Sequence, residues 1–234
     1  MSTAVETDEL ADFELRVADY HFAREGREVP PPDESLLYDY VFGADYTFVR
    51  TRCPGIDVCF PIGANWHTAR GLAEVEPYLM WDLPRVPSRL VEQMYEIGWK
   101  MSVERQCEAL FHLSWLSPAQ SDELAGQATA IASAEGWVLE FPEQIANEER
   151  VKPVHTGAGS SAARSIIEVH THPDGPAKFS PVDDKDEARG VKIYAVMGEL
   201  FTKPELRARV SIYGHFCEYP ATEFFELPAG LRTA

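Results

Sequence analysis

Short β-type segments, separated by proline and glycine, run through much of this chain and limit what it can fold into. Between residues 36 and 84, segments 46–50 and 56–60 are rich in β-branched and aromatic residues, which favour strands. Pro54 and Gly55 between them are a turn signal. The pattern predicts a small β-rich unit in this part of the chain.

Helices and strands alternate in the remainder of the chain. We predict that Ser88 caps a helix ending between Gly98 and Ser102, because apolar residues recur there every three to four positions. The further predicted elements are strands at 109–116, 137–141, 165–169, 191–196 and 207–219 and helices at 121–134 and 181–189. Because no strict βαβ repeat is present, we predict an α/β protein with a mixed-sheet sandwich.

Changes in composition predict three parts of the chain. The acidic segment 1–28 has apolar residues spaced for an amphipathic helix, and the prolines after Val29 end that pattern. We predict an N-terminal extension over 1–85, which contains the β-rich unit. A second domain over 86–220 and a C-terminal tail over 221–234 follow it.

The charge of the chain excludes several classes of partner. Its 38 acidic and 21 basic residues give a formal net charge of −17. Such a chain repels phosphate backbones and anionic lipid surfaces, so we expect no nucleic-acid partner and no membrane partner. The first twenty residues lack a basic segment followed by an apolar run, and no stretch approaches the roughly 18 apolar residues of a membrane span. These observations predict a cytoplasmic protein.

Two histidines and an aspartate follow the predicted strand at 165–169. His170 and His172 are two positions apart, so a strand points both side chains to one face, and Asp183 follows eleven positions later. Two neutral imidazoles and one carboxylate leave a tetrahedral zinc ion with one open position, as in catalytic sites. Because the four cysteines form no C-x-x-C pair and are predicted to be reduced thiols, we predict Zn²⁺ bound by these three residues.

Each part of this segment also has an ordinary explanation. An H-x-H pair occurs by chance or on a surface. Ser180, Pro181 and Asp183 also suit the N-cap, N1 and N3 positions of a helix. The two interpretations are compatible, because a helix N-terminus can present Asp183 to a metal ion.

Together, H-x-H-P, six residues, Ser, two residues and Asp resemble the signature of JAMM (JAB-domain) zinc metalloproteases. The resemblance implies a JAB/MPN-type fold, related to that of cytidine deaminases, and metal ligation by His170, His172 and Asp183. It also implies that an upstream glutamate transfers protons. Ser180 would help to hold the oxyanion.

Glu108 is our candidate for the glutamate that the resemblance implies. It follows the helix predicted from Ser88, opens the strand predicted at 109–116, and precedes His170 by 62 positions. Glu104 and Glu140 are the alternatives, and a solvated carboxylate at the start of a strand is the ordinary explanation. His112, on the same predicted strand, is a weaker candidate for reaching the site.

Over about residues 36–219 the chain also resembles protein A of the bacterial PRTRC (ParB-related, ThiF-related) cassette, a JAB-domain family with an N-terminal extension. The segments that carry this resemblance include 46–50, 85–87, 179–187, 192–198 and 210–216. It implies a zinc-dependent isopeptidase that processes or removes a ubiquitin-like protein. Partners resembling ubiquitin-activating and ubiquitin-conjugating enzymes are implied as well.

Two other classes of function compete with this interpretation. A catalytically silent JAB scaffold would bind a ubiquitin-like or conjugation partner, but all three ligand positions are filled here. A zinc deaminase would carry H-x-E and P-C-x-x-C, and a zincin would carry H-E-x-x-H; none of these motifs occurs.

Overall fold

A five-stranded sheet forms the N-terminal part of the computed structural model, which describes residues 17–124 and 129–233. Its strands, in both chain and sheet order, are β1 (Ala18–Phe22), β2 (Tyr38–Phe42), β3 (Tyr46–Cys53), β4 (Ile56–Ala64) and β5 (Tyr78–Trp81). β1 and β2 are parallel and the other pairs are antiparallel. β3 and β4 confirm the strands predicted at 46–50 and 56–60, and Pro54 and Gly55 form the turn between them.

The helix predicted over residues 1–28 is wrong for the residues of this segment that the structure describes, 17–28. Residues 1–16 lie outside the described part, and β1 occupies Ala18–Phe22. Tyr20, one of the apolar residues that carry the helical spacing, is 63% exposed and pairs through its backbone with Tyr40 of β2. The apolar spacing was compatible with a helix, but pairing with a distant strand determined the backbone conformation.

The second large sheet carries the predicted metal ligands. In sheet order its strands are β14 (His215–Tyr219), β13 (Glu205–Ile212), β12 (Val191–Gly198), β11 (Ile167–His172), β6 (Leu110–Trp115), β8 (Trp137–Glu140) and β7 (Ala130–Ala134), with β15 (Arg232–Thr233) beside β13. β11 pairs in parallel with β12 and antiparallel with β6. Both edges of β11 are therefore occupied by strands of the same sheet. A separate two-stranded sheet consists of β9 (Gln144–Ala146) and β10 (Val151–Pro153).

Helix α1 (Ser88–Arg105) is longer than predicted and begins differently. Pro87 occupies the N-cap and makes no side-chain capping bond, so Ser88 is not the cap. Gly98 does not end the helix. A methyl group there would lie 2.8 Å from Thr171 Cγ2, so glycine permits close packing of α1 on β11. The remaining helices are short: α2 (Pro118–Leu124), α3 (Ser161–Arg164) and α4 (Pro181–Asp186).

Two-residue turns account for two further errors in the predicted elements. The helix predicted at 121–134 is wrong over β7, which pairs with β8 around Glu135 and Gly136. The strand predicted at 207–219 is two strands, β13 and β14, joined by Tyr213 and Gly214. All four turn residues have positive φ, which is the geometry of type I′ hairpins. Glu-Gly and Tyr-Gly are weaker turn signals than Asn-Gly, so the sequence did not reveal these turns.

β11 separates an apolar layer from a polar one. Ile167, Val169 and Thr171 are fully buried in the core beneath α1. Glu168, His170 and His172 alternate with them and point to the other face, on the side of α4. The same core includes Val58 and Phe60 of the N-terminal sheet and the fully buried Phe224 and Phe225. Within residues 17–124 and 129–233, no helix is long and apolar enough to cross a membrane.

Candidate metal centre

His170 and His172 meet because β11 turns alternate residues to the same face. Their Nε2 atoms lie 3.2 Å apart. His170 is 5% exposed, whereas His172, at the end of the strand, is partly accessible. The prediction that both histidine side chains lie on the same face of the strand is therefore confirmed.

Asp183 reaches the histidines from the first turn of α4. Its backbone N–H donates to Ser180 Oγ, and its Oδ2 accepts a 2.6 Å hydrogen bond from the Ser180 backbone N–H. This capping box fixes the side chain and leaves Oδ1 at 3.6 Å from His170 Nε2. The capping and metal-ligand interpretations of the segment are therefore compatible in one conformation.

The three side chains fit a metal ion in both spacing and chemistry. One donor atom from each of His170, His172 and Asp183 lies within 4.8 Å of the others. Four ligands at zinc bond lengths in a tetrahedron would be about 3.3 Å apart. The distances from His170 Nε2 are 3.2 Å and 3.6 Å, and the distance from His172 Nε2 to Asp183 Oδ2 is longer, at 4.0 Å. The group could hold a metal ion with two nitrogen donors and one oxygen donor.

Burial keeps His170 in the form that a metal requires. Desolvation lowers its pKa to about 4, although the Asp183 carboxylate favours the charged form. A neutral imidazole has a free electron pair on one nitrogen, and only this form binds metal. His170 is therefore an available ligand near neutral pH.

Glu108 lies beside the histidines, just before β6. It is 4% exposed, and its Oε1 is 3.6 Å from His172 Nε2. Burial, with contributions from Asp183 and Glu149, raises its pKa to about 8. A carboxyl group of this kind exchanges a proton near neutral pH, as a general acid and base must.

The two alternative glutamates lie elsewhere. Glu104 is on the exposed side of α1 and forms an i,i+4 ion pair with Lys100. Glu140 is fully buried on β8, where its carboxylate accepts from Arg164 and Thr129. Of these three candidates in the described part of the chain, Glu108 alone lies beside a predicted metal ligand.

One cavity connects the side chains of Glu108 and His172 to the protein surface. Its volume is about 680 Å³, and Glu108, His172 and Ser180 contribute to its lining together with Val103 and Phe201. Ser180 Oγ accepts hydrogen bonds from the backbone N–H groups of Val182 and Asp183, which leaves the hydroxyl hydrogen free to donate. A substrate entering this cavity would reach all three polar side chains.

Contacts of their Nδ1 atoms orient the two histidines, and the residues that make them were not among the predicted site residues. His172 Nδ1 lies 3.2 Å from the backbone oxygen of Pro176, and His170 Nδ1 lies 3.6 Å from Glu187 Oε1. Burial raises the pKa of Glu187, and the nearby guanidinium of Arg209 opposes that rise. A signal for Glu187 was present, because it follows Asp183 by four positions and so lies on the same side of a helix. No local signal indicated Arg209.

His112 does not join the metal ligands, so our weaker candidate is wrong. It is fully buried, with Nδ1 2.8 Å from Ser161 Oγ and Nε2 3.5 Å from Glu168 Oε2. Its register on β6 places it opposite Glu168, two residues before His170. The His112 side chain therefore lies in the same polar layer as the metal ligands, but it contacts Glu168.

Comparison with known proteins adds no assignment. No protein-family model matches the chain, and no curated protein matches it. The geometry and chemistry of the site are therefore the basis for assigning a function.

Proposed function

We propose that this protein is a zinc-dependent hydrolase of the JAB/MPN fold that cleaves an amide bond. The observation that carries the proposal is the meeting of His170, His172 and Asp183 with the protonatable Glu108 beside one cavity. The mixed sheet with α1 packed on one face and α4 on the other is compatible with that fold. The JAMM-like spacing from His170 to Asp183 supports the same assignment.

The three ligands and Glu108 have separate tasks. Zinc held by His170, His172 and Asp183 would polarise the amide carbonyl and acidify a water molecule. Glu108 takes a proton from the attacking water and returns it to the leaving amine, which suits a carboxyl group whose pKa is raised to about 8. Ser180 donates its hydroxyl hydrogen to the carbonyl oxygen as negative charge develops there.

The proposed substrate is a ubiquitin-like protein that is matured or removed from a lysine. The resemblance to the PRTRC cassette supports this choice, and it also suggests partners similar to activating and conjugating enzymes. A flexible C-terminal tail supplies the extended, accessible carbonyl that the cavity beside His172 requires, whereas a folded surface does not.

The test uses zinc-loaded protein and the ubiquitin-like protein of its gene neighbourhood, extended at its C-terminus or joined to a lysine. We expect intact-mass analysis to show cleavage at the modifier's terminus. Glu108→Gln should keep its zinc and lose roughly 10²–10⁴-fold in turnover. Glu104→Gln is the matched control, because Glu104 is exposed on α1, and it should cleave like the wild type.

Two outcomes would contradict the proposal. Binding of the ubiquitin-like protein by zinc-loaded wild type without cleavage would favour the catalytically silent scaffold. Cleavage that survives Glu108→Gln would show that the proton is carried by another group.

A further inference from the structure

We infer that Glu187 and Arg209 are positioning residues of the metal centre, which hold His170 with Nε2 directed at the other two ligands. The inference deepens the proposed function and rests on the proposed metal site. It starts from the side of His170 that faces away from His172. There, Nδ1 lies 3.6 Å from Glu187 Oε1, and no closer polar contact of Nδ1 is found in residues 17–124 and 129–233.

The carboxylate of Glu187 divides its two oxygens between two neighbours. Oε2 accepts from Arg209 Nε at 2.9 Å and from Arg209 Nη2 at 2.6 Å. Oε1 remains for His170. Glu187 is 5% exposed, so water does not compete effectively for that oxygen. The carboxylate thus has a fixed direction with one acceptor turned towards the histidine.

Two aromatic rings and two carboxylates fix the side chain of Arg209. Its guanidinium carbon lies 3.9 Å from the ring centres of both Phe179 and Phe216, and Nη1 donates to Asp184 at 2.6 Å. The residue is 4% exposed. Because the planar guanidinium stacks between two rings, its fork can point only at the two carboxylates. Arg209 therefore links β13 rigidly to the helix that carries Asp183.

A buried ion pair of this kind contributes little net free energy to the stability of a fold. An apolar pair of similar volume is often equally stable or more stable, since two charges need not lose their hydration. The pair gains a specific use if it orients a ligand. A histidine that donates Nδ1–H to a carboxylate keeps its tautomer and presents Nε2 to metal, and loss of such a partner typically weakens binding 10- to 100-fold.

The experiment reads the His170 tautomer in the metal-free protein by long-range ¹H–¹⁵N NMR. It is done at about pH 9, where the imidazole is neutral. We expect His170 to carry its proton on Nδ1 in the wild type. Glu187→Ala should shift it towards the form protonated on Nε2, and Glu187→Gln, which keeps an acceptor oxygen, should retain part of the Nδ1 form.

Zinc affinity, measured by competition with a chelator, is the second readout. We expect Glu187→Ala and Arg209→Ala to bind zinc about 10- to 100-fold more weakly. Arg209→Lys should not restore affinity, because an ammonium group cannot reproduce the fork. Arg207→Ala is the matched control: Arg207 lies on the same strand, but its carboxylate partners are Glu205 and Glu218, and neither forms an ion pair with His170 or His172 in the described part of the chain.

The two proposals fail in different ways. If Glu187→Ala and Glu187→Gln leave the tautomer of His170 and the zinc affinity unchanged, the inference is overturned even where the enzyme is active. If the wild type binds no zinc, the proposed function fails, while the tautomer in the metal-free protein still decides whether Glu187 positions His170. If Glu187→Ala does not fold, Glu187→Gln and Arg209→Lys supply the comparison.

Discussion

Gly198 offers a way to disturb the metal centre without changing any of its side chains. It is the last residue of β12 and lies opposite His172 in the parallel register. A methyl group at Gly198 would lie 2.2 Å from the backbone nitrogen of Ala177 and 2.4 Å from the carbonyl carbon of Pro176. The φ angle of Gly198 is not positive, so alanine can adopt the same backbone conformation. The only conflict is the steric overlap of the added methyl group with the segment at Pro176 and Ala177.

The size of the displacement follows from these distances. Ordinary contact begins near 3.4 Å, so the segment at Pro176 and Ala177 must retreat by about 1.2 Å from its present 2.2 Å. The oxygen of Pro176 is 3.2 Å from His172 Nδ1, and we expect a retreat of this size to break that contact. We expect Gly198→Ala to weaken zinc binding about 10- to 100-fold and to destabilise the fold by about 1–3 kcal/mol.

The assay is chelator competition for zinc, combined with urea unfolding of the metal-free protein. Gly63→Ala is the control, because Gly63 also lies in a strand, has no positive φ, and has nothing within 4 Å of an added methyl group. Wild-type zinc affinity in a folded Gly198→Ala variant would refute the argument that the Pro176 carbonyl orients His172.

Four further outcomes are expected. His172→Ala should abolish zinc binding, measured by elemental analysis of purified protein, and zinc affinity of the wild type should weaken as the pH approaches about 4, because burial lowers the pKa of His170 to about 4 and this ligand must be neutral. Ser180→Ala should lower the free energy of unfolding by about 0.5–2 kcal/mol in urea titration, because Ser180 caps α4. Burial raises the pKa of Cys59 to about 11, so iodoacetamide at about pH 8 should leave this thiol unmodified in native protein and modify it in urea, as read by mass spectrometry.

The sequence predicted those elements whose signals are local. β3 and β4 were found because β-branched residues and a Pro-Gly turn coincide, and α1 because its apolar face repeats. β1 and β7 were missed because pairing with β2 and β8 decided their conformation. Such pairing depends on residues far away in the chain, which periodicity within one segment does not record.

The same distinction separates the predictable part of the site from the rest. His170, His172 and Asp183 lie within fourteen positions, so their signal is local. Strand alternation predicts that the two histidines share a face, and the JAMM-like spacing implied that Asp183 joins them. Arg209 comes from β13, two strands away from β11 in the sheet. Its orientation depends on stacking between Phe179 and Phe216, which only the folded sheet brings together.

The assignment of Glu108 depends on where basic side chains are placed. Buried carboxylates in the described part of the chain mostly have a partner: Asp39 pairs with Arg50, Asp57 with Arg52, Glu140 with Arg164 and Glu187 with Arg209. Glu108 is equally buried and, among the described residues, has no lysine or arginine partner. Burial raises the pKa of Glu108 to about 8 with no cation to oppose the effect, whereas Arg209 opposes the same effect of burial on Glu187, so Glu108 can take up and release a proton near neutral pH. An unpaired acid beside two histidines is therefore a better indication of a proton-transfer group than its distance along the chain, because the missing cation is a property of the packing.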